Sequence, residues 1–126
     1  MLRISGIGID LVDLNRAGRF LKEHRATSLN RLFFPSERKF IQNKPSVSSF
    51  AKAFAAKEAF FKALGLSWMG LEGFKKIKLK ILPNDRFTAS SVSPKKIQGQ
   101  GRFFESRKWV GAQVIVTEQA KNKRQV

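Results

Sequence analysis

The stretch FAAKEAFFKALG, residues 54–65, combines apolar residues at helical spacing with three charged residues. Together with the residues before it, the stretch predicts the longest helix of the chain, over residues 47–64. Gly65 provides a C-terminal stop, because glycine readily adopts the left-handed conformation in which many helices end. The apolar face of this predicted helix is formed by Phe50, Phe54, Phe61 and Leu64.

The charged residues of this helix have two alternative explanations. Glu58 and Lys62 lie together just off the apolar face, beside Ala51 and Ala55, and Lys57 projects from within it. On an exposed face Glu58 and Lys62 would form an i,i+4 pair worth about 0.3–0.5 kcal/mol. Lys57 would then pack its aliphatic stem on the Phe side chains and hold its ammonium group in water. Alternatively, these groups contact an ionic ligand, which the small residues allow to approach closely.

A second segment, GIGID at residues 6–10, favours the ionic ligand. It places Asp10 at or near the end of a predicted strand over residues 3–12, among glycines that permit close backbone approach. A carboxylate on a strand and another on a helix can hold one Mg²⁺, which also binds phosphate oxygens. Lysines beside this pair would neutralise the remaining phosphate charge. The alternative is that Asp10 is only a turn residue.

After this strand, Asp13 is expected to cap a helix over residues 14–25, because its carboxylate can accept hydrogen bonds from free backbone N–H groups. At about 100° per residue this helix has two different sides. The apolar side comprises Leu14, Ala17, Phe20, Leu21 and His24, and the basic side comprises Arg16, Arg19 and Lys22. Because the only histidine, His24, falls on the apolar side, we interpret it as a packing residue rather than a base.

The remaining segments change from helix to strand. A short helix is expected in FFPSERKFI, residues 33–41, with Pro35 in or just before its first turn. Lys alternating with Ile and Leu predicts a half-buried strand in the second half, and turn residues and β-branched residues follow. The expected elements are a strand over residues 74–82, a turn at Asn84-Asp85, a return strand over residues 86–92 and a buried final strand over residues 109–118.

Helices that come mostly first and antiparallel strands that come mostly later indicate an α+β fold, with helices packed on a mostly antiparallel sheet. We assign residues 1–119 to a single domain and residues 120–126 to a polar C-terminal tail. The chain contains no cysteine, which excludes disulfides and thiolate metal sites.

The charge composition favours polyanionic partners. Twenty-five Lys and Arg residues against nine Asp and Glu residues give a formal net charge of +16. Such an excess is compatible with nucleic acid, anionic membranes, phosphorylated ligands or an acidic protein, and does not choose among them. The N-terminal segment lacks the features of a signal peptide, and no apolar run approaches the roughly 20 residues that span a bilayer. We therefore expect a cytoplasmic protein with no membrane partner.

Two segments at a characteristic distance resemble a known family. GIGIDLVDLNR, residues 6–16, and FAAKEAFFKALG, residues 54–65, resemble the holo-acyl-carrier-protein synthases, which are short 4′-phosphopantetheinyl transferases. LFFPSERKF, residues 32–40, is similar to the family's segment before its second helix, and GAQVIVTE, residues 111–118, to its last strand. The resemblance implies the α+β fold of this family and transfer of 4′-phosphopantetheine from coenzyme A to a serine of an apo acyl carrier protein, releasing adenosine 3′,5′-bisphosphate.

The resemblance also implies residue roles. Asp10 and Glu58 match the family's Mg²⁺-binding carboxylates, and with Lys62 they form the expected catalytic set. The expected coenzyme A-binding residues are Lys52, Lys57, Lys62 and Gly65. The expected docking residues for the acidic carrier protein are Arg16, Arg19 and Lys22. The family is typically a homotrimer with active sites between subunits.

Two alternatives remain open. The family's Ser-x-Ser-His segment before the last strand is absent, since residues 102–113 read RFFESRKWVGAQ, and Gly-Leu-Ser at residues 65–67 replaces Gly-Thr-Gly. These departures leave open a weak or inactive relative that binds carrier protein. The second alternative is a basic nucleic-acid-binding domain that contacts phosphates through α-helical cations and residues 75–80. Nucleic acid is the least favoured partner, because no helix-turn-helix, zinc-finger or aromatic RNA-binding pattern is present.

Overall fold

The computed structural model describes residues 2–42, 46–65, 71–91 and 97–119. The elements in chain order are β1 Leu2–Asp13, α1 Leu14–Leu32, α2 Pro35–Gln42, α3 Ser46–Ala63, α4 Leu71–Phe74, β2 Ile77–Leu82, β3 Arg86–Ser91, β4 Gln98–Glu105 and β5 Trp109–Gln119. The strands form one antiparallel sheet in the order β1-β5-β4-β3-β2. This arrangement confirms the predicted α+β fold. The predicted tail, residues 120–126, lies outside the described ranges.

Asp13 separates β1 from α1 as expected. Its Oδ1 accepts hydrogen bonds from the backbone N–H groups of Asn15 at 2.8 Å and Arg16 at 3.2 Å. The first helical segment ends at a kink at His24, next to the predicted end at residue 25, and a second segment continues to Leu32. The predicted start is confirmed, because the cap is a local signal, and the predicted end agrees with the kink, whereas the continuation to Leu32 was not predicted.

His24 lies at a kink inside α1 and is more exposed than the helical pattern predicts. Its backbone leaves helical geometry (φ −132°, ψ 18°), and its side chain is 55% exposed. The ring still contacts Phe20, with 5.2 Å between ring centroids, and Nε2 lies 3.7 Å from Glu23 Oε2. The 100° spacing assumes an unbroken helix, so it does not apply beyond the kink.

The strand predictions of the second half are confirmed with one correction. Asn84 and Asp85 form the β2–β3 turn with φ of 63° and 57°. The first strand begins at Ile77 rather than at residue 74, because Phe74 ends α4 and is fully buried. Residue 92, which was expected in the return strand, lies outside the described ranges.

β4 is an unpredicted strand. Its sequence QGQGRFFE contains two glycines and polar residues, which weaken the intrinsic preference for a strand. It nevertheless pairs with β3 on one side and β5 on the other. Its conformation therefore follows from hydrogen bonding to two neighbours rather than from its own residue pattern.

The two faces of the sheet differ in their cover. α3 lies across β1 and β5, and its aromatic residues join a buried cluster with residues of α1, α4 and the α1–α2 connection. On the opposite face of the sheet several large apolar side chains remain exposed: Ile7, Ile9, Leu11 and Phe104. None of the described helices is long and apolar enough to cross a membrane.

Candidate active site

The site is built where α3 packs closely against β1. Gly6 and Gly8 face the helix, and a Cβ atom at either would overlap a backbone carbonyl oxygen, that of Ala63 or Ala59 respectively. Glycine therefore permits an approach of backbone to backbone that no larger residue allows. Because side chains alternate along a strand, Asp10 lies on the same side of β1 and is directed toward α3.

Asp10 and Lys62 are in direct contact at this junction. Lys62 Nζ lies 2.9 Å from Asp10 Oδ1 and donates a second hydrogen bond to the carbonyl oxygen of Ile9 at 3.2 Å. The Lys62 side chain is 51% exposed, whereas that of Asp10 is only 15% exposed. The lysine therefore links the strand to the helix and keeps its ammonium group accessible to a ligand.

Glu58 lies one helical turn before Lys62 and carries an unsatisfied oxygen. Its Oε1 is buried and has no hydrogen-bond partner. The pKa of Glu58 is raised to about 7, first by burial and second by the Asp10 charge, and Lys62 partly opposes both. A desolvated carboxylate beside a second carboxylate is unfavourable unless a cation or a proton compensates it.

Asp10 and Glu58 line one cleft between β1, α1 and α3, with a volume of about 370 Å³. Apolar side chains form much of its wall, and Arg16 and Trp109 also line it. Trp109 is 44% exposed. Both predicted acids therefore line the same cleft, next to an apolar surface.

The carboxylate pair fits a Mg²⁺ ion by its donor chemistry. Both side chains offer hard oxygen ligands, and the orphaned Glu58 oxygen would gain the partner that it lacks. Within the described ranges there is no group of three or more His, Cys, Asp or Glu residues suited to a metal. Mg²⁺ is commonly bound by one or two carboxylates together with substrate phosphates, so two acids are sufficient.

Lys57 is not available to a ligand, which contradicts its expected role in coenzyme A binding. Its side chain is fully buried, with Nζ 2.7 Å from Glu37 Oε1. Burial lowers the pKa of Lys57 to about 8, while Glu37 opposes that shift. The simpler expectation that its ammonium reaches water is also wrong, because α2 supplies an internal carboxylate.

The structure does not bring Lys52 to the carboxylate pair. Lys52 Nζ lies 3.9 Å from both Asp85 Oδ1 and Glu105 Oε1, at the β2–β3 turn and the end of β4. It is six residues before Glu58, which places it on a different side of α3 and more than one turn away. Gly65 is exposed with φ of 73°, just after α3, as its predicted stop requires. Its part in coenzyme A binding stays a prediction.

The basic side of α1 is exposed beside the cleft. Arg16, Arg19 and Lys22 are all solvent-accessible, and Arg16 also lines the cleft. These cations therefore extend from the candidate site along the first half of α1, before the kink. Their predicted role in docking a partner is untested by the geometry.

The sequence reasoning missed Glu37 and Trp109. Glu37 is 2% exposed, although acidic residues are rarely buried without a partner. The only signal in its segment is a single acid among aromatic residues in FFPSERKF. Trp109 was assigned to the last strand without a place in the cleft, because the meeting of β5 with α1 is not visible in local sequence.

Glu58 should make the stability of the metal-free protein depend on pH. Its pKa is about 7 in the fold against an ordinary value of 4.5, so the folded state retains a proton that the unfolded state has lost. The free energy of unfolding therefore decreases as the pH rises from about 4.5 to about 7, and Glu58 causes no further decrease above pH 7. We expect Glu58→Gln to exceed the parent in unfolding free energy at pH 8, and this gain to shrink at pH 5. Urea denaturation with a chelator present measures both values, and an equal gain at both pH values would contradict the assignment.

Comparison with known proteins places this geometry in a family. Residues 6–117 match the sequence model of the 4′-phosphopantetheinyl transferase superfamily. A holo-[acyl-carrier-protein] synthase of Trichlorobacter lovleyi is 52% identical over 63 residues, which is 49% of this chain and 50% of the relative. The corresponding protein of Geotalea daltonii is 43% identical over 76 residues, 55% of this chain and 61% of the relative. The chain thus spans about half to three fifths of these curated relatives.

Solved structures agree over a larger part of the chain. The holo-[acyl-carrier-protein] synthase of Neisseria meningitidis has a TM-score of 0.75 at 28% identity and covers 93% of this chain and 100% of its own. The Helicobacter pylori protein, solved in complex with coenzyme A, has a TM-score of 0.73 at 26% identity, with coverage of 87% and 98%.

Proposed function

The chain belongs to the 4′-phosphopantetheinyl transferase superfamily, and we propose that it transfers 4′-phosphopantetheine from coenzyme A to a serine of an apo acyl carrier protein. The observation that carries this proposal is that Asp10 and Glu58 line one cleft while Lys62 contacts Asp10. Both the similar relatives and the similar structures are named as holo-acyl-carrier-protein synthases, and one of those structures contains coenzyme A.

The chemistry is a displacement at phosphorus. The serine oxygen of the carrier forms a bond to the β-phosphorus of coenzyme A, and the bond from that phosphorus to the bridging oxygen breaks. Adenosine 3′,5′-bisphosphate leaves with the bond electrons, and the serine proton is taken up by a water held by a carboxylate. No protein nucleophile is required, so catalysis consists mainly of positioning and charge stabilisation.

The residues at the cleft suit these requirements. Asp10 and Glu58 would hold Mg²⁺, which when bound neutralises charge on the diphosphate. Lys62 fixes Asp10 at 2.9 Å and presents an accessible ammonium to the phosphate oxygens. The apolar wall beside the carboxylates excludes water from one side of the site, which strengthens these electrostatic contacts.

An acidic carrier protein would approach along α1. Arg16, Arg19 and Lys22 are exposed there, and Arg16 belongs to both the basic side and the cleft. A carrier bound to these cations would have its serine close to the carboxylate pair. The net charge of +16 also favours rapid encounter with an acidic protein.

We include in this proposal a homotrimer that uses the helix-free face of the sheet. Ile7, Ile9 and Leu11 are 52% to 57% exposed, and Leu11 and Phe104 pack on either side of Gly111. A continuous apolar patch of this kind usually marks an interaction surface.

Introducing a charge in this patch should separate the subunits. Ile7→Asp is expected to give a monomer by size-exclusion chromatography with light scattering, because a carboxylate buried between subunits would lack a partner. Gln98→Asp, at an exposed position of β4, is the matched control and should keep the parental mass. A parent that is itself monomeric would contradict the trimer.

A transfer assay tests the proposed activity. Apo carrier protein incubated with the chain, coenzyme A and Mg²⁺ should gain the mass of one phosphopantetheine, and a chelator should prevent the gain. A stable complex with carrier protein but no mass gain would instead support the weak or inactive relative, for which the absent Ser-x-Ser-His segment is the motivating observation. Absence of both would refute the proposal.

A further inference from the structure

The buried ammonium of Lys57 connects α3 to three other segments. Besides the contact with Glu37, Nζ donates hydrogen bonds to the carbonyl oxygens of Leu32 at 2.8 Å and Phe74 at 2.9 Å. An ammonium group has three donors, so α2, the end of α1 and the end of α4 together satisfy it completely. Phe74 is distant in sequence from Leu32 and Glu37, and all three hydrogen-bond to this nitrogen.

Glu37 extends the same network into the sheet. Its Oε1 accepts a hydrogen bond from the backbone N–H of Phe34 at 2.8 Å, and its Oε2 accepts one from Leu79 in β2 at 2.6 Å. Both carboxylate oxygens are therefore engaged. Lys57, Glu37 and their four backbone partners form one polar network. Its hydrogen bonds constrain both the distance between the two side chains and the direction in which each points.

This network lies on a different side of α3 from the packing against β1. The contacts at Gly6 and Gly8 set how closely α3 approaches β1, and groups on the other sides of α3 also restrain its rotation about the helix axis. Directional hydrogen bonds from Lys57 restrain it strongly. Since successive residues are about 100° apart, the rotation that aims Lys57 at Glu37 also sets the direction of Glu58.

We propose that Lys57 and Glu37 are positioning residues, which hold α3 in the rotation at which Glu58 and Lys62 face Asp10. This inference rests on the proposed function for the nature of what the three residues bind. A well-packed apolar pair would often stabilise a core as well as a buried ion pair does. Apolar packing is not directional, so it would not fix the helix rotation in the same way.

The test measures the affinity of the protein for Mn²⁺ alone, without substrate, by electron paramagnetic resonance. Lys57→Gln keeps hydrogen-bond donors but shortens the side chain and removes the charge, and Asp10 and Glu58 are unchanged. We expect its Mn²⁺ dissociation constant to rise by about tenfold, the lower end of the effect of losing a group that orients a metal ligand. Binding is measured at a temperature at which circular dichroism shows the variant folded.

A control variant separates positioning from general stability. Phe87→Leu alters the Phe87–Phe103 contact in the sheet, where the ring centroids are 4.6 Å apart, and should lower the unfolding temperature without changing Mn²⁺ affinity. If Lys57→Gln does not fold, Glu37→Gln replaces it, because that variant keeps the ammonium and one acceptor oxygen. If neither folds, Glu37→Met combined with Lys57→Met is used, since it leaves no unpaired buried charge.

The outcomes distinguish the two proposals. A folded variant at Lys57 or Glu37 that binds Mn²⁺ as tightly as the parent overturns the positioning role and leaves the proposed function intact. If Phe87→Leu weakens Mn²⁺ binding as much as the variant at Lys57 or Glu37 does, the positioning role is overturned as well. A parent that binds Mn²⁺ no more tightly than Asp10→Asn overturns both proposals.

Discussion

Glu58→Gln is expected to reduce the rate of phosphopantetheine transfer by about a thousandfold or more, because it removes one of two carboxylates that would hold the metal. The substitution keeps the size of the side chain and removes the titrating group, whose pKa is raised to about 7 by burial and the Asp10 charge. The chain should therefore become inactive and, in the metal-free state at pH 8, more stable. Loss of activity with a gain in stability is typical of substituting a residue that serves function at a cost in stability. Substitution of a structural residue lowers activity and stability together.

Rates are measured by mass spectrometry of the carrier protein, and stability by urea denaturation. Asp10→Asn should reduce the rate to a similar extent, but it also removes the partner of Lys62, which lies 2.9 Å away. Glu118→Gln is the matched control, since Glu118 is an exposed acid near the end of β5 that pairs with Arg3. Transfer at the parental rate in both Glu58→Gln and Asp10→Asn would disprove the site assignment.

Gly8→Ala is expected to lower the unfolding free energy by about 3 kcal/mol and to abolish Mn²⁺ binding. The added Cβ would overlap the Ala59 carbonyl oxygen and lie 2.7 Å from the Ala63 nitrogen, which are backbone atoms of α3. No side chain can rotate away to relieve this overlap, so the helix itself must move off β1. Movement of α3 separates Glu58 from Asp10, and the site is lost together with the stability.

Gly18→Ala is the control for this prediction. A Cβ at Gly18 in α1 would meet only Val47 side-chain atoms at 3.8 and 3.9 Å, which is ordinary contact. Because alanine is the better helix former, this variant should gain about 0.5–1 kcal/mol. Denaturation followed by circular dichroism compares the two, and a Gly8→Ala chain with parental stability would show that α3 does not pack as closely as the structure indicates.

The elements that the sequence predicted correctly depend on neighbouring residues along the chain. The carboxylate of Asp13 caps α1 two and three residues away, Gly65 ends α3 with φ of 73°, and Asn84 with Asp85 makes the β2–β3 turn. Each signal operates within one turn of the backbone, so it is fully present in a short segment. The pairing of Asp10 with Glu58 was predicted because a strand carboxylate and a helix carboxylate can hold one Mg²⁺, and family resemblance then supported linking the two segments.

The predictions that failed required knowledge of other segments. β4 is a strand because β3 and β5 flank it, and α1 continues past a kink at His24 that no local residue announces. Lys57 was assigned to a ligand through the family resemblance, and nothing in its own helix indicates the buried carboxylate that it contacts. The sequence by itself determined most local elements and indicated the two acids that line the cleft. Only the tertiary structure decided that Lys57 turns inward to Glu37, because burying a charge depends on a partner that folding brings from elsewhere in the chain.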